Sequence, residues 1–294
     1  MQHPTVHQLR IFEAIVRHGS FSRAAEAMHL TQPTISMQIR KVADTVGAPL
    51  FEQVGRRLVL TEAGEALLRL SRDIFDSLDR FDQTVADLKG LRSGRLRLSA
   101  VTSAEYFLPR LLGPFCNLYP GIEVALEVGN RERILERLRA GADDVQVFGQ
   151  PPDDADAVAR PFLENPLVVV APAGHRLAGA MPLSLHTLAA EPFLLREAGS
   201  GTRTAAERVF REAGLPLNLR MELGSNEAIK QGILGGLGLG VLSRHAVEGA
   251  PGLVELPVEG FPIRRQWFLV WPAGRPLSPA ARALVDHLLA VTQT

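Results

Sequence analysis

Residues 20–64, SFSRAAEAMHLTQPTISMQIRKVADTVGAPLFEQVGRRLVLTEAG, constrain this chain more than any other stretch. Two short amphipathic segments meet there at a polar turn, and a basic ribbon follows. A helix is expected just ahead, from about His7 to His18, with Leu9, Phe12, Ile15 and Val16 on one face and Gly19 ending it. Ser20 or Ser22 can cap the next helix, and Ala24, Ala25, Ala27 and Met28 keep that helix slim enough for close packing. The turn His29-Leu30-Thr31 delivers a third helix, with Thr31 as its predicted cap and Pro33 in the first turn, where a missing N–H costs nothing. Ile35, Ile39, Val42 and Val46 are expected to face inward. Short polar side chains at the start of such a helix reach base edges in the major groove, while Arg and Lys further along meet phosphates. The candidate DNA-contacting set is Ser22, Arg23, Thr31, Gln32, Pro33, Thr34, Ser36, Met37, Gln38 and Arg40, with Lys41 beside them. Arg56 and Arg57 join it from the tip of a small hairpin wing around Leu58, Val59 and Leu60. An ordinary helical domain with a solvated basic loop would need motif, turn and wing to coincide by accident.

The segment SFSRAAEAMHLTQPTIS and the stretch Pro49-Leu50-Phe51-Glu52 resemble the LysR-type transcriptional regulators, over essentially the whole chain. Many members have Arg where this sequence has Met37. QPTISMQIRK, REAGSGTR (196–203), ELGSNEAIKQGI (222–233) and EGFPIRRQWFLVWPAG (259–274) are similar to the CbbR branch, which controls carbon-fixation operons. The resemblance implies a winged helix-turn-helix head, a dimer or a tetramer made of dimers, and an effector domain of the type 2 periplasmic-binding-protein fold. It also implies double-stranded promoter DNA and RNA polymerase as partners, with a Calvin-cycle or redox-linked metabolite as effector. Relatives often have Arg where this chain has Gln150, so a less charged effector stays open.

The 294 residues, 46% hydrophobic, suffice for two or three domains. Formal net charge is zero, which would argue against nucleic acid if it were evenly spread. It is not: residues 1–61 hold seven Lys/Arg against four acids, so a positive head is balanced by a negative body. No run of eighteen apolar residues and no basic-then-apolar leader occurs, so no membrane partner is expected and the cytoplasm is the default location. Cys116 is the only cysteine, which excludes an intramolecular disulfide and any multi-cysteine metal site. Its apolar neighbourhood, LLGPFCNLY, predicts an inert, mostly buried thiol.

After Thr61 one long helix is predicted to about Leu91. Leu67, Ile74, Phe81 and Leu88 repeat every seven residues, and Leu78 with Val85 fills the alternate seam. These six are the candidate dimerisation residues, though packing along the helix's own domain would also satisfy them. Three parts follow: a DNA-binding head at 1–61, a linker and dimerisation helix at 62–92, and an effector-binding domain at 93–294. The last alternates strands with helices, which indicates parallel sheets with covering helices. Its two Rossmann-like lobes are expected at about 93–163 with 265–294, and about 164–264. The fold class is thus mixed, a helical winged head on an α/β body.

Parallel sheets bind ligands at the carboxyl ends of their strands, where helix N-termini point amides at the opening. Thr102-Ser103, Gly129-Asn130 and Gly149-Gln150 occupy such positions in one lobe; Arg196, Ser200-Gly201-Thr202-Arg203 and Asn226 do so in the other. A small anionic metabolite is the expected ligand, with Thr102, Ser103, Asn130, Gln150, Arg196, Ser200, Gly201, Thr202, Arg203 and Asn226 as its candidate contacts, although each turn is also satisfied by helix capping alone. An enzyme is disfavoured. The chain has no G-x-S-x-G elbow, no phosphate loop ending in GK[ST] and no H-E-x-x-H pair, and Gly235-Gly236-Leu237-Gly238-Leu239-Gly240 misses G-x-G-x-x-G. No catalytic residue, metal or cofactor is expected. A stand-alone solute-binding protein would have no use for residues 1–92.

Overall fold

Thr5 opens the first helix, α1 (Val6–His18), through a capping box in which its hydroxyl accepts the Gln8 amide proton and the Gln8 side chain accepts its own. The computed structural model describes residues 3–55, 57–88, 93–152, 156–179 and 182–292, and the chain divides into two units, 1–82 and 83–294. In the first unit, Ser20 caps α2 (Phe21–Ala27) and Thr31 caps α3 (Gln32–Val46). His29, in the turn between them, takes φ 55°, a left-handed conformation uncommon outside glycine. Strands β1 (Phe51–Val54) and β2 (Arg57–Leu60) pair antiparallel as the wing. Thr61 then donates to the Pro49 carbonyl (2.6 Å) and accepts from the Gly64 amide (3.1 Å), tying the wing to α4 (Glu62–Leu88). Gly64 is required there, since a Cβ would collide with the Leu50 carbonyl oxygen.

The head's core is Leu9, Ile11, Phe12, Ile15, Ala24, Ala25, Ile35, Ile39, Val42, Leu50 and Leu67. Each large side chain buried there contributes about 1.5–3 kcal/mol. Two expectations need correction. Val46 is exposed at the last position of α3, where Gly47 ends the helix in the left-handed region. Leu67 is 5% exposed inside the head's core and Ile74 packs against it, so these two heptad positions are spent on their own unit. Leu70, Leu78 and Phe81 remain exposed, at 50%, 41% and 65%. Val85 is half-buried; the Leu88 side chain and Arg56 lie outside the described residues.

In the second unit one five-stranded sheet has the order β4-β3-β5-β12-β6, built from β3 (Ser93–Val101), β4 (Gly121–Gly129), β5 (Val145–Phe148), β6 (Ala157–Glu164) and, far along the chain, β12 (Gln266–Pro272). A 3-10 turn (Thr102–Tyr106) follows β3 and leads into α5 (Leu108–Leu118). The helical stretch between β3 and β4 is therefore broken at Phe107. Pro109, which has no N–H to donate, sits comfortably only in the first turn of the new helix. α5 and the last helix, α11 (Pro279–Thr292), cover one face, with Phe115, Leu284 and Leu288 packed on Leu96, Leu98 and Trp267. α6 (Arg131–Arg139) covers the other through Ile134 and Leu138. Cys116 points away from this core and is exposed, a correction to the buried thiol expected above.

The second sheet has the order β11-β7-β10-β8-β9, from β7 (Leu167–Pro172), β8 (Phe193–Arg196), β9 (Leu219–Leu223), β10 (Leu239–Ser243) and β11 (Leu253–Leu256). α7 (Leu185–Ala189) and α8 (Gly201–Glu212) lie on one face; α9 (Asn226–Leu234) lies on the other, and α10 (Arg244–Val247) follows β10. Both sheets are mixed and not purely parallel: β12 runs antiparallel to β5 and β6, and β7 antiparallel to β10 and β11. The reversal comes from the two crossovers between sheets, where the Asn165 amide donates to the Arg265 carbonyl and Leu167 bridges Ile263.

Candidate nucleic-acid interface and effector cleft

The first turns of α3 present Gln32, Pro33, Met37, Arg40 and Lys41 to solvent, with Thr34, Ser36 and Gln38 partly covered beside them. Several of these side chains are held in place before any partner arrives. Thr31 and Thr34 share a hydroxyl hydrogen bond (2.8 Å), Gln32 Nε2 donates to Ser36 Oγ (3.4 Å), and Gln38 Oε1 accepts from Gln8 Nε2 of α1 (3.1 Å). Gln38 is thus tethered to α1, while Gln32, Met37 and Arg40 stand exposed on the same helix. Ser22 and Arg23 on α2 and Arg57 on the wing are exposed as well.

The second unit has a cavity between its two sheets, about 420 Å³ including its mouth, lined by both lobes. Thr102, Ser103, Gln150, Arg196, Ser200, Gly201 and Thr202 all line it, as the strand-end argument anticipated. Three candidates do not. Asn130 caps α6, its Oδ1 accepting from the Arg133 amide at 3.0 Å. Arg203 turns away to Glu207, Glu222 and the Arg196 carbonyl, pairs that raise its pKa through Glu207 first and Glu222 next. Asn226 is buried behind the wall, accepting from Arg196 (2.9 Å) and donating to Ser103 Oγ (3.1 Å).

The lining also holds residues that strand-end reasoning missed: Arg131, Asn165, Glu197, Trp267 and, above all, Arg265. Arg196, 3% exposed, is neutralised by Glu197 through two hydrogen bonds of 2.7 and 2.8 Å. Arg265 has no such partner. Its guanidinium donates to the Gly201 carbonyl (2.7 Å) and to Gln150 Oε1 (2.8 Å), both neutral, and it meets no carboxylate among the described residues. Burial first, then Arg131 and Arg208 nearby, push its pKa down to about 10. Arg131 stacks over Phe148 and donates to the Gln150 and Pro151 carbonyls. Positive charge at the cavity beside Gln150 comes from Arg131 of α6 and from Arg265 of the crossover. α8 adds its amino end, where the Ser200 side chain caps no amide. A half-buried cation with no carboxylate partner keeps an uncompensated charge.

Among known families, residues 6–65 match the bacterial regulatory helix-turn-helix proteins of the lysR family, and residues 89–293 match the LysR substrate binding domain. The chain is 47% identical over 293 residues to the HTH-type transcriptional activator CmpR of Synechocystis sp., covering 99% of this chain and 96% of that protein. It is 48% identical over 295 residues to the RuBisCO operon transcriptional regulator of Acidithiobacillus ferrooxidans, with the same coverages. Among solved structures, the Synechocystis CcmR regulatory domain in complex with 2-PG is 46% identical, with a TM-score of 0.66 over 68% of this chain and 98% of that one. A full-length OxyR variant from Pseudomonas aeruginosa, 25% identical, gives a TM-score of 0.77 over 98% of this chain and 95% of that one. With head and body both matched and the likeness running end to end, the chain belongs to the LysR family of bacterial transcriptional regulators.

Proposed function

We propose that this DNA-binding regulator controls carbon-fixation genes and answers to a small phosphorylated carboxylate held in the cleft between its lobes. As a member of its family it is a transcriptional regulator and not an enzyme. The observation that carries the effector reading is Arg265, a half-buried guanidinium bonded only to neutral acceptors, in a cavity that Thr102, Ser103 and Thr202 also line. An anion completes its hydrogen bonds and cancels its charge. Support for the ligand class comes from the related regulatory domain solved with 2-PG, and support for the target genes from the RuBisCO-operon relatives. Two copies joined along α4 would present two α3 helices to a two-fold related site, with RNA polymerase as the downstream partner. No helix among the described residues is long and apolar enough to cross a membrane.

The reading is tested by fluorescence anisotropy on a duplex from upstream of the carbon-fixation genes, with and without 2-phosphoglycolate. A change in affinity or in the DNA bend angle is expected; binding indifferent to the ligand, together with no heat of mixing, overturns it. Gln150 in place of an arginine favours a second reading, a non-phosphorylated carboxylate, for which glycolate would compete as well as its phosphate ester. Because the anion needs Arg265 protonated, affinity should be lost as pH rises through about 10, the value to which that group is lowered. Titration calorimetry at pH 8 and pH 10 reads this directly.

For the head, Gln32→Ala or Ser36→Ala should each cost about 1–3 kcal/mol of discrimination per lost base contact. Arg57→Ala should instead weaken all duplexes alike and flatten the salt dependence. Competition binding between operator and random DNA at several salt concentrations separates the two.

A further inference from the structure

We infer that Tyr106, Glu227 and Lys230 form a clasp between the two lobes, apart from the ligand cavity, which holds the cleft shut and so sets the size of effector it admits. Tyr106 ends the 3-10 turn of the first lobe and its hydroxyl donates to Glu227 Oε1 of α9, in the second lobe, at 2.7 Å. The same carboxylate pairs with Lys230 Nζ at 2.5 Å, and Lys230 lies 4.7 Å from the centre of the Tyr106 ring. The three groups close a loop of hydrogen bond, ion pair and cation–π contact, and each supports the other two. None of them lines the cavity.

The turn that carries Tyr106 also carries Thr102 and Ser103, which do line it. One turn away from the clasp, Ser103 receives a hydrogen bond from Asn226, the residue beside Glu227. At its far end Phe107 packs on His245 of α10, ring centres 5.0 Å apart. A single short turn of the first lobe is thus gripped along its length by the second, and a ligand touching Thr102 or Ser103 acts on the segment the clasp restrains. A clasp that stabilises the shut state raises affinity for an anion small enough to bind there, because less of the protein must first be recruited to that state. The ratio of affinities for a small anion and for one that needs the lobes apart then shifts by the full factor that the clasp contributes to the shut–open equilibrium.

Opposite signs for small and bulky ligands distinguish a clasp from a merely structural contact. Tyr106→Phe removes the hydroxyl and keeps the ring; Glu227→Gln keeps an acceptor and removes the ion pair. In the full-length protein each should weaken 2-phosphoglycolate by about threefold to tenfold, the range of one lost hydrogen bond, and improve fructose 1,6-bisphosphate relative to it. A dissociation-constant ratio unchanged from wild type, or a bulky anion bound by neither protein, overturns the clasp. The effector arm rests on the function proposed above, so a second measurement uses no ligand. Hydrogen exchange should rise together in residues 102–106 and 226–230 of either variant, at an unchanged melting temperature. No rise, or a rise in only one lobe, also overturns it. If wild-type protein ignores 2-phosphoglycolate while the paired exchange still appears, the effector reading fails and the clasp stands.

Discussion

Replacing Arg265 with methionine removes effector binding without lowering the melting temperature of the ligand-free protein. The two halves of this result have one cause. The guanidinium is half-buried, bonded to the Gly201 carbonyl and the Gln150 amide oxygen, and crowded by Arg131 and Arg208. A cation so placed costs desolvation that neutral acceptors only partly offset, so an apolar replacement of similar length leaves the fold as stable or more so. When the anion arrives, the same charge sits against a desolvated phosphate or carboxylate. Losing one partner of such a pair costs about 2–5 kcal/mol, so the dissociation constant rises by about two orders of magnitude or more. Arg265→Lys restores the charge but not the planar fork and should recover part of the affinity. Calorimetric titration with 2-phosphoglycolate and thermal melts of the three proteins check both halves. A methionine variant that binds like wild type, or one that melts well below it, would place the anion elsewhere.

The head was legible because its signals are local. Gly19, Ser20 and Thr31 end or cap helices at the positions their side chains, or lack of one, demand. Periodicity placed Ile35, Ile39 and Val42 inside correctly and failed only at Val46, one turn too far. In the body, two edge strands carry no clear signal in the sequence. β6 contains Pro161, which argues against a strand, yet the outermost position of its sheet and a register shift near Phe268 accommodate it. β11 is four residues long, too short for alternation to show. Cys116 failed differently: in LLGPFCNLY the inward positions are Leu112 and Phe115, so the next residue turns outward although its neighbours are apolar.

The cleft was legible where it is made of strand ends and illegible where it is made of crossovers. Thr102, Ser103, Gln150 and Ser200 to Thr202 follow the strand-end rule and line the cavity. Arg203 sits one residue past Thr202, and a helix turns roughly 100° per residue, enough to swing it out to Glu207 and Glu222. Arg265 lies in the chain returning from one lobe to the other, where no periodicity operates, and only the folded structure brings it to Gly201 and Gln150. The same limit applied to Tyr106 and Glu227, 121 residues apart in sequence.

Leu67→Ala should unfold the head, whereas Phe81→Ala should separate subunits and leave the head folded. Heptad spacing alone assigns both residues to one seam, and burial divides them. Leu67 is 5% exposed among Leu9, Phe12 and Leu50, so truncation removes its transfer energy and leaves a cavity, together about 2–5 kcal/mol. A head of this size has little stability to lose, and its melting temperature should fall by more than about 10 °C. Phe81 is 65% exposed on α4, near Leu78 and beyond the head's core, so the isolated chain loses little when its ring goes. If this face meets a second copy, the ring is buried there, and truncation shows as a shift from dimer to monomer in sedimentation at micromolar concentration. DNA affinity should then fall in both variants for different reasons, and only Phe81→Ala should recover it as protein concentration rises. Equal dissociation in both with unchanged melting would return Leu67 to the seam between subunits.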